Sequence, residues 1–319
     1  MSMAEDCWNP FMVSRREVVA HTVVALTLSP SDSATLPPWS PGAHVDVRIE
    51  GCDLVRQFSL MSDPQDPQAW RIGVLREDHD GLSARLHDKV TEGDVVQLRG
   101  PRNHFELIPA ESYVFIAGGI GITPIMPMVA AASQQGADWR LHYGGRTRGT
   151  MAFVDELSSF GAERVQLWPE DVHGLLDLDS ILGTPRPGTL VYCCGPEPLL
   201  AAVEERCHSW PSGALVVERF APKPADPGDD QDAFTVVLAQ SGLTLEVAAD
   251  QLLTDVLMDA GLDVFMSCGE GTCGTCETDV LHGVPDHRDS VLSPSEQDRT
   301  DVMYICVSRA KSPSITLDL

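Results

Sequence analysis

Over roughly the first hundred residues, apolar positions come in short runs separated by Pro, Gly and Asp. Residues 16–28, 44–49, 56–60, 70–75 and 95–98 read as strands, and that density of short strands and turns predicts a small antiparallel barrel. Within it, Gly81-Leu82-Ser83-Ala84-Arg85-Leu86-His87 can open a short helix with Ser83 near its N-terminus.

From Tyr113 the pattern changes to apolar strand, helix, strand. Strands are expected at residues 113–117, 139–143, 165–168 and 189–194, with helical stretches after Thr123 and around 153–160. This alternation predicts a parallel sheet with helices on both faces. Residues 222–230, Pro-Lys-Pro-Ala-Asp-Pro-Gly-Asp-Asp, read as a polar linker. Beyond it a hairpin is expected from 234–239 and 244–247, turning at Gly242, and then a helix over 252–260. No internal repeat is visible.

Residues 112–137 carry no charge and are long enough to resemble a membrane span. The loop Gly118-Gly119-Ile120-Gly121-Ile122-Thr123-Pro124, followed by Pro127, would break such a span, so strand, glycine loop and buried helix fit better.

A chain of 319 residues suggests two or three domains. Its 47 Asp and Glu against 22 Lys and Arg give a net charge of -25. That charge argues against nucleic acid or an anionic membrane as partner, because both require basic patches. Residues 228–319 alone hold 17 acidic and 4 basic side chains, a balance of -13. No signal-peptide pattern is evident, and a cytoplasmic location is expected.

Cys268, Cys273, Cys276 and Cys306 follow the order C-x4-C-x2-C and then a distant C, the ligand spacing of a plant-type 2Fe-2S centre. Glycines between the first three let the backbone curl and aim N–H groups at sulfur. Structural zinc usually shows two C-x2-C-like knuckles or cysteine–histidine pairs, and one C-x2-C is present here. The other five cysteines, Cys7, Cys52, Cys193, Cys194 and Cys207, are scattered through apolar or mixed segments and read as reduced thiols.

Three further motifs can hold cofactors. In Arg56-Gln57-Phe58-Ser59-Leu60 the arginine offers two parallel donors to a phosphate, the ring can flank a planar system, and Ser59 can bond its edge. Alone, such a segment is more often an ordinary barrel strand. The loop containing Gly119, Gly121 and Thr123 follows a strand and precedes a helix, so its N–H groups can receive a pyrophosphate. Thr123 is expected at the N-cap and Pro124 at the first helical position. Cys194-Gly195-Pro196 ends another strand at a similar turn, and ligands of open parallel sheets bind at strand carboxyl ends. By itself the glycine loop is equally compatible with a plain strand–helix turn, and the Cys194 turn alone reads rather as a buried cysteine at a strand end.

Taken in order, these motifs and the cysteines resemble the phthalate dioxygenase reductase family, including vanillate demethylase reductase components. The resemblance is densest from Cys268 to Val280 and at His287-Arg288-Asp289-Ser290. It implies a multidomain chain: an antiparallel FMN-binding β-barrel (1–109), an α/β NADH domain with a parallel sheet (110–222), a linker (223–232) and an α+β plant-type ferredoxin domain of β-grasp form (233–319).

By position, the resemblance assigns Arg56 to the FMN phosphate, Phe58 to a place against the isoalloxazine and Ser59 to one near its reactive nitrogen, with Leu60 also among the cofactor-binding residues. Gly73, Val74 and Leu75 would border the ring, with Gly81 and Ser83 toward phosphate. Thr123 and Cys194 would meet the nicotinamide beside Gly119, Gly121, Gly195 and Pro196, and Phe220 would lie close to the flavin. Ser59 and Cys194 would be the catalytic pair. Phe58 stands where many relatives carry tyrosine.

NADH is the implied donor, although Arg146 and Arg148 follow the strand ending at Tyr143, from which an arginine could reach a 2'-phosphate. The implied acceptor is a separate Rieske-type oxygenase, with the reductase itself monomeric. A cytochrome P450 acceptor, or a binding module with a vestigial flavin, is the alternative.

Overall fold

Six N-terminal strands each turn apolar side chains to one shared interior. These are β1 (Asn9–Ala20), β2 (Val23–Pro30), β3 (His44–Arg48), β4 (Arg56–Ser59), β5 (Trp70–Leu75) and β6 (Val95–Arg102), with helix α1 (Leu82–Lys89) before β6. They form one antiparallel sheet in the order β4-β3-β6-β1-β2-β5. An antiparallel bridge from Leu60 to Ile72 joins the two edges into a barrel. Phe11, Val13, Leu26, Val45, Trp70, Ile72 and Leu98 fill it, with Leu82 and Leu86 of α1 packed on the same core.

The computed structural model describes residues 7–32, 34–52, 54–77, 81–223, 232–293 and 296–319. The chain divides into two units, Met1–Glu218 and Arg219–Leu319. The barrel belongs to the first.

One expected strand is two. Residues 16–28 contain the ends of β1 and β2, which reverse at His21-Thr22 and pair antiparallel. The turn lacks the Gly or Asn that marks a two-residue hairpin loop. It is held by a distant contact instead, His21 N–H donating to the Gly149 carbonyl at 3.0 Å.

The rest of the first unit is the parallel sheet. Its elements are β7 (Ser112–Gly118), α2 (Ile122–Gln134), β8 (Asp138–Gly145), α3 (Val154–Ser158), β9 (Val165–Pro169), α4 (Glu170–His173), α5 (Leu178–Leu182), β10 (Thr189–Cys194), α6 (Glu197–Cys207) and β11 (Leu215–Glu218). The order is β11-β10-β7-β8-β9, all parallel. Side chains of β7 alternate between two cores, as a two-sided sheet requires. Tyr113, Phe115 and Ala117 pack with Ile122, Ile125 and Met128 of α2, whereas Val114 and Ile116 pack with Leu182, Leu200 and Val203 of α5 and α6. The uncharged stretch is therefore core. Among the described residues no helix is long and apolar enough to cross a membrane.

The glycine loop also differs in detail. Gly119–Gly121 forms a 3-10 turn, and Gly121 rather than Thr123 is the N-cap of α2. Burial of Ile122 draws that residue into the first helical position, so Pro124 is third rather than first. Thr123 instead donates its hydroxyl to the Ile120 carbonyl at 3.0 Å. Pro127 lies inside α2, in its second turn, where it cannot donate to the Thr123 carbonyl.

The second unit contains β12 (Phe234–Leu238), β13 (Thr244–Val247), α7 (Leu253–Asp259), β14 (Glu277–His282), β15 (Pro285–Asp286), β16 (Val302–Tyr304), β17 (Arg309–Ala310) and β18 (Ser314–Leu317). Its main sheet runs β13-β12-β18-β14-β16, with β12 and β18 parallel and the other pairs antiparallel; β15 and β17 form a separate pair. Leu253 and Leu257 of α7 pack on Phe234, Val236, Ile315 and Leu317. Of the expected linker, residues 224–230 lie outside the described residues.

Candidate functional site

The barrel and the parallel sheet meet through residues too small to hold them apart. Ser59 ends β4, and the next residue, Leu60, bridges Ile72, which precedes Gly73 in β5. A Cβ on Gly73 would sit 2.8 Å from Thr123 Cγ2, so a glycine is what lets the barrel strand reach the start of α2. Behind Thr123, a Cβ on Gly121 would lie 2.2 Å from the Cys194 carbonyl oxygen, and one on Gly118 would meet Pro196 and Leu199. The two glycine turns are thus in contact at the carboxyl ends of β7 and β10. Ser59, Leu60, Gly73, Thr123, Gly121, Cys194 and Gly195 form one continuous set of neighbours, although they span more than a hundred residues of sequence.

One side-chain polar group in this set is left over. Ser59 is 5% exposed and its Oγ has no hydrogen-bond partner among the described residues. A buried hydroxyl left unpaired costs about 1–3 kcal/mol, which suits a place where a bound molecule supplies the partner. Arg56 opens β4 and is partly exposed; Phe58 is buried in the barrel core. Val74 is buried, Leu75 packs against the core shared with α2, Gly81 is the N-cap of α1, and Ser83 is buried in its first turn. Phe220 belongs to the second unit and is 41% exposed.

One group at this site escapes the sequence reading. Glu218 closes β11 in register with Cys194 of β10, and the Cys194 thiol donates to its carboxylate at 3.8 Å. Burial pushes the Glu218 carboxyl up to about 8. Burial first and the Glu218 charge second raise the Cys194 thiol well above its ordinary range. The Cys194 thiol therefore keeps its proton at neutral pH and presents neutral sulfur. The visible signal was a lone acid at the end of an apolar strand, Leu215-Val216-Val217-Glu218.

In the second unit the cysteine loop brings its sulfurs together. Gly269, Gly271 and Gly274 have φ of 67°, 70° and 71°, a left-handed backbone that other residues adopt at a cost. These bends aim the Glu270 and Thr272 N–H groups at Cys268 Sγ, at 3.3 and 3.5 Å. Cys273, Cys276 and Cys306 are buried and Cys268 is partly exposed.

The four sulfurs are close enough to share protons. Cys273 and Cys306 donate to Cys268 and hold it far below the ordinary thiol range, while Cys306 likewise lowers Cys276. Crowded thiols of this kind suit a cationic centre that replaces their protons. Among the described residues no three or more His, Cys, Asp or Glu stand as a site for a metal ion; a 2Fe-2S centre instead divides four thiolates between two irons. The segment His287-Arg288-Asp289-Ser290 braces the loop. Ser290 N–H donates to the Gly271 carbonyl at 2.8 Å, and Asp289 Oδ1 accepts from the N–H groups of Val291 and Leu292 at 3.0 and 2.8 Å.

Comparison with known proteins agrees with this geometry. Residues 236–311 match the 2Fe-2S iron-sulfur cluster binding domain family. The chain is 42% identical over 287 residues to the phenoxybenzoate dioxygenase subunit beta of Ectopseudomonas oleovorans, covering 89% of each chain. Among solved structures, an intact type IV self-sufficient cytochrome P450 monooxygenase superimposes with a TM-score of 0.92 at 41% identity, over 98% of this chain; the chain spans 41% of that protein's length. A phthalate dioxygenase reductase, described as a modular structure for electron transfer from pyridine nucleotides to 2Fe-2S, matches with a TM-score of 0.70 and 34% identity over 98% of both chains. An antiparallel flavin-type barrel, a parallel-sheet nucleotide fold and a cysteine-loop ferredoxin fold, in that order and along the whole length, place this chain in the phthalate dioxygenase reductase family.

Proposed function

We propose that this chain takes electrons from NADH, passes them through FMN and a 2Fe-2S cluster, and delivers them to a separate Rieske-type oxygenase. The observation that carries the reading is the pair of close approaches, Gly73 on Thr123 and Gly121 on Cys194, which put the barrel strand and both nucleotide turns at one place. When bound, FMN accepts a hydride as an electron pair and the cluster passes electrons one at a time.

The chain's own residues supply position and environment. Arg56 clamps the FMN phosphate, with Gly81 and Ser83 at the start of α1 assisting. Ser59 Oγ, buried and unpaired, bonds the flavin edge; Phe58 and Leu60 hold that strand, and Gly73, Val74 and Leu75 border the ring. Gly119, Gly121, Gly195 and Pro196 receive the nucleotide, and Thr123 and Cys194 face the nicotinamide. Cys268, Cys273, Cys276 and Cys306 ligate the irons. We divide the chain into a flavin barrel (1–109), a nucleotide domain (110–222), a linker (223–232) and a ferredoxin domain (233–319), working as a cytoplasmic monomer.

A second acceptor has its own support, because a P450 monooxygenase contains a region superimposing on this chain with a TM-score of 0.92. Purified protein reconstituted with FMN and cluster should oxidise NADH and reduce a Rieske-type oxygenase. Reduction of a P450 haem in its place would select the second reading, and absence of NADH-dependent flavin bleaching would reject both.

A further inference from the structure

Residues 224–287 contain no Lys or Arg and 13 Asp and Glu. Inside that stretch α7 buries Leu253, Thr254 and Leu257 and turns Leu252, Asp255, Met258 and Asp259 outward. Leu252 is 49% and Met258 44% exposed. Asp263 and Phe265, the latter 46% exposed, follow just before the cysteine loop. Isolated exposed apolar side chains are ordinary. Here three fall within fourteen residues, interleaved with three exposed carboxylates. An apolar centre with a charged rim is the composition of a protein interface. Leu252 also lines a cavity of about 130 Å³ together with Cys306, Arg288 and Arg309, so this face adjoins a space that reaches a cluster cysteine; the two arginines are already engaged, Arg288 with Asp286 and Arg309 with the Gln251 and Ala248 carbonyls.

We propose that Leu252, Asp255, Met258, Asp259, Asp263 and Phe265 form the docking face for the electron acceptor, whose complementary surface is an apolar hollow bordered by Lys and Arg. The proposal rests on the reductase reading above. Charge complementarity selects this occupant: with no basic side chain in the stretch, an acidic partner is repelled and a basic one steered in, over a screening length of about 8 Å at physiological ionic strength.

The test uses the full-length holoprotein and mammalian cytochrome c as probe, a basic haem protein whose haem edge is ringed by lysines. Asp255→Lys with Asp259→Lys should raise KM for cytochrome c at least tenfold at low salt, and Asp255→Asn with Asp259→Asn should raise it by a smaller factor. NADH-driven reduction of flavin and cluster, followed in stopped flow, should be unchanged in both. The same charge change on the first unit, Glu163→Lys with Glu205→Lys, should shift KM less than threefold.

Equal effects of the two reversal pairs would reduce the result to net charge and overturn the assigned face. So would an unchanged KM in the Asp255 and Asp259 variants. Slowed flavin-to-cluster transfer in those variants would assign the face to contact with the chain's own first unit. A wild-type protein that fails to bleach its flavin with NADH would remove the reductase reading and the docking face with it.

Discussion

The cluster loop gathers three of its four thiols from nine consecutive residues, Cys268 to Cys276. The site in the first unit draws Ser59, Gly73, Thr123, Gly121, Cys194 and Glu218 from β4, β5, α2 and the turn before it, and the ends of β10 and β11. Local backbone bends shape the first site. The second depends on two missing side chains at domain-scale contacts. The difference predicts how each site fails: the loop by loss of a ligand, leaving the rest of the molecule intact, and the assembled site by insertion of a few atoms at the contacts that bring its elements together.

The largest expected effect is Cys273→Ser. The variant should lack cluster absorbance while NADH still bleaches its flavin within about twofold of the wild-type rate. Loss of flavin reduction in a folded variant would mean that the two regions are not separable. Gly121→Val is the reciprocal change. Its Cβ would lie 2.2 Å from the Cys194 carbonyl oxygen, and the turns must part. NADH reduction of the flavin should fall at least a hundredfold with cluster absorbance retained; an unimpaired rate would show that this contact does not set the site.

Arg56→Ala tests the phosphate end. Loss of a charge-assisted bond, worth about 1.5–3 kcal/mol, should weaken FMN binding by about tenfold to a hundredfold, measured by fluorescence titration of the apoprotein. Extraction should yield FMN, and FAD would contradict the short phosphate site.

A smaller effect concerns Glu218. Its folded carboxyl titrates near 8 against an ordinary 4.5, chiefly through burial. The folded state therefore binds this proton more tightly, so the associated stability is fully present below about pH 4.5 and is lost as pH rises toward 8. Urea midpoints of wild type should decline across that window relative to Glu218→Gln. Parallel pH profiles for the two proteins would place the Glu218 carboxyl in an ordinary, hydrated state.

Legibility in the sequence follows the same division. The cysteine loop, the strands β7 and β10 and helix α7 were readable because their signals are local: fixed spacing, apolar runs and flanking glycines. The His21-Thr22 turn was not, since it is stabilised by Gly149 from another part of the fold. Nor was the start of α2, where burial of Ile122 moved the cap to Gly121. Glu218 went unnoticed because its partner Cys194 lies one strand away in space and 24 residues away in sequence. The same holds for Asp46, fully buried, which accepts from Gln57 at 2.7 Å and Arg99 at 2.9 Å across three strands. Such cross-strand networks leave no periodic mark on the chain.

Anaerobic stopped flow of the holoprotein against NADH, read at separate flavin and cluster wavelengths, tests the central claim most directly. Bleaching of the flavin should come first, with cluster reduction following it in wild type and absent in Cys273→Ser. Cluster reduction that precedes the flavin, or that survives removal of FMN, would contradict the account.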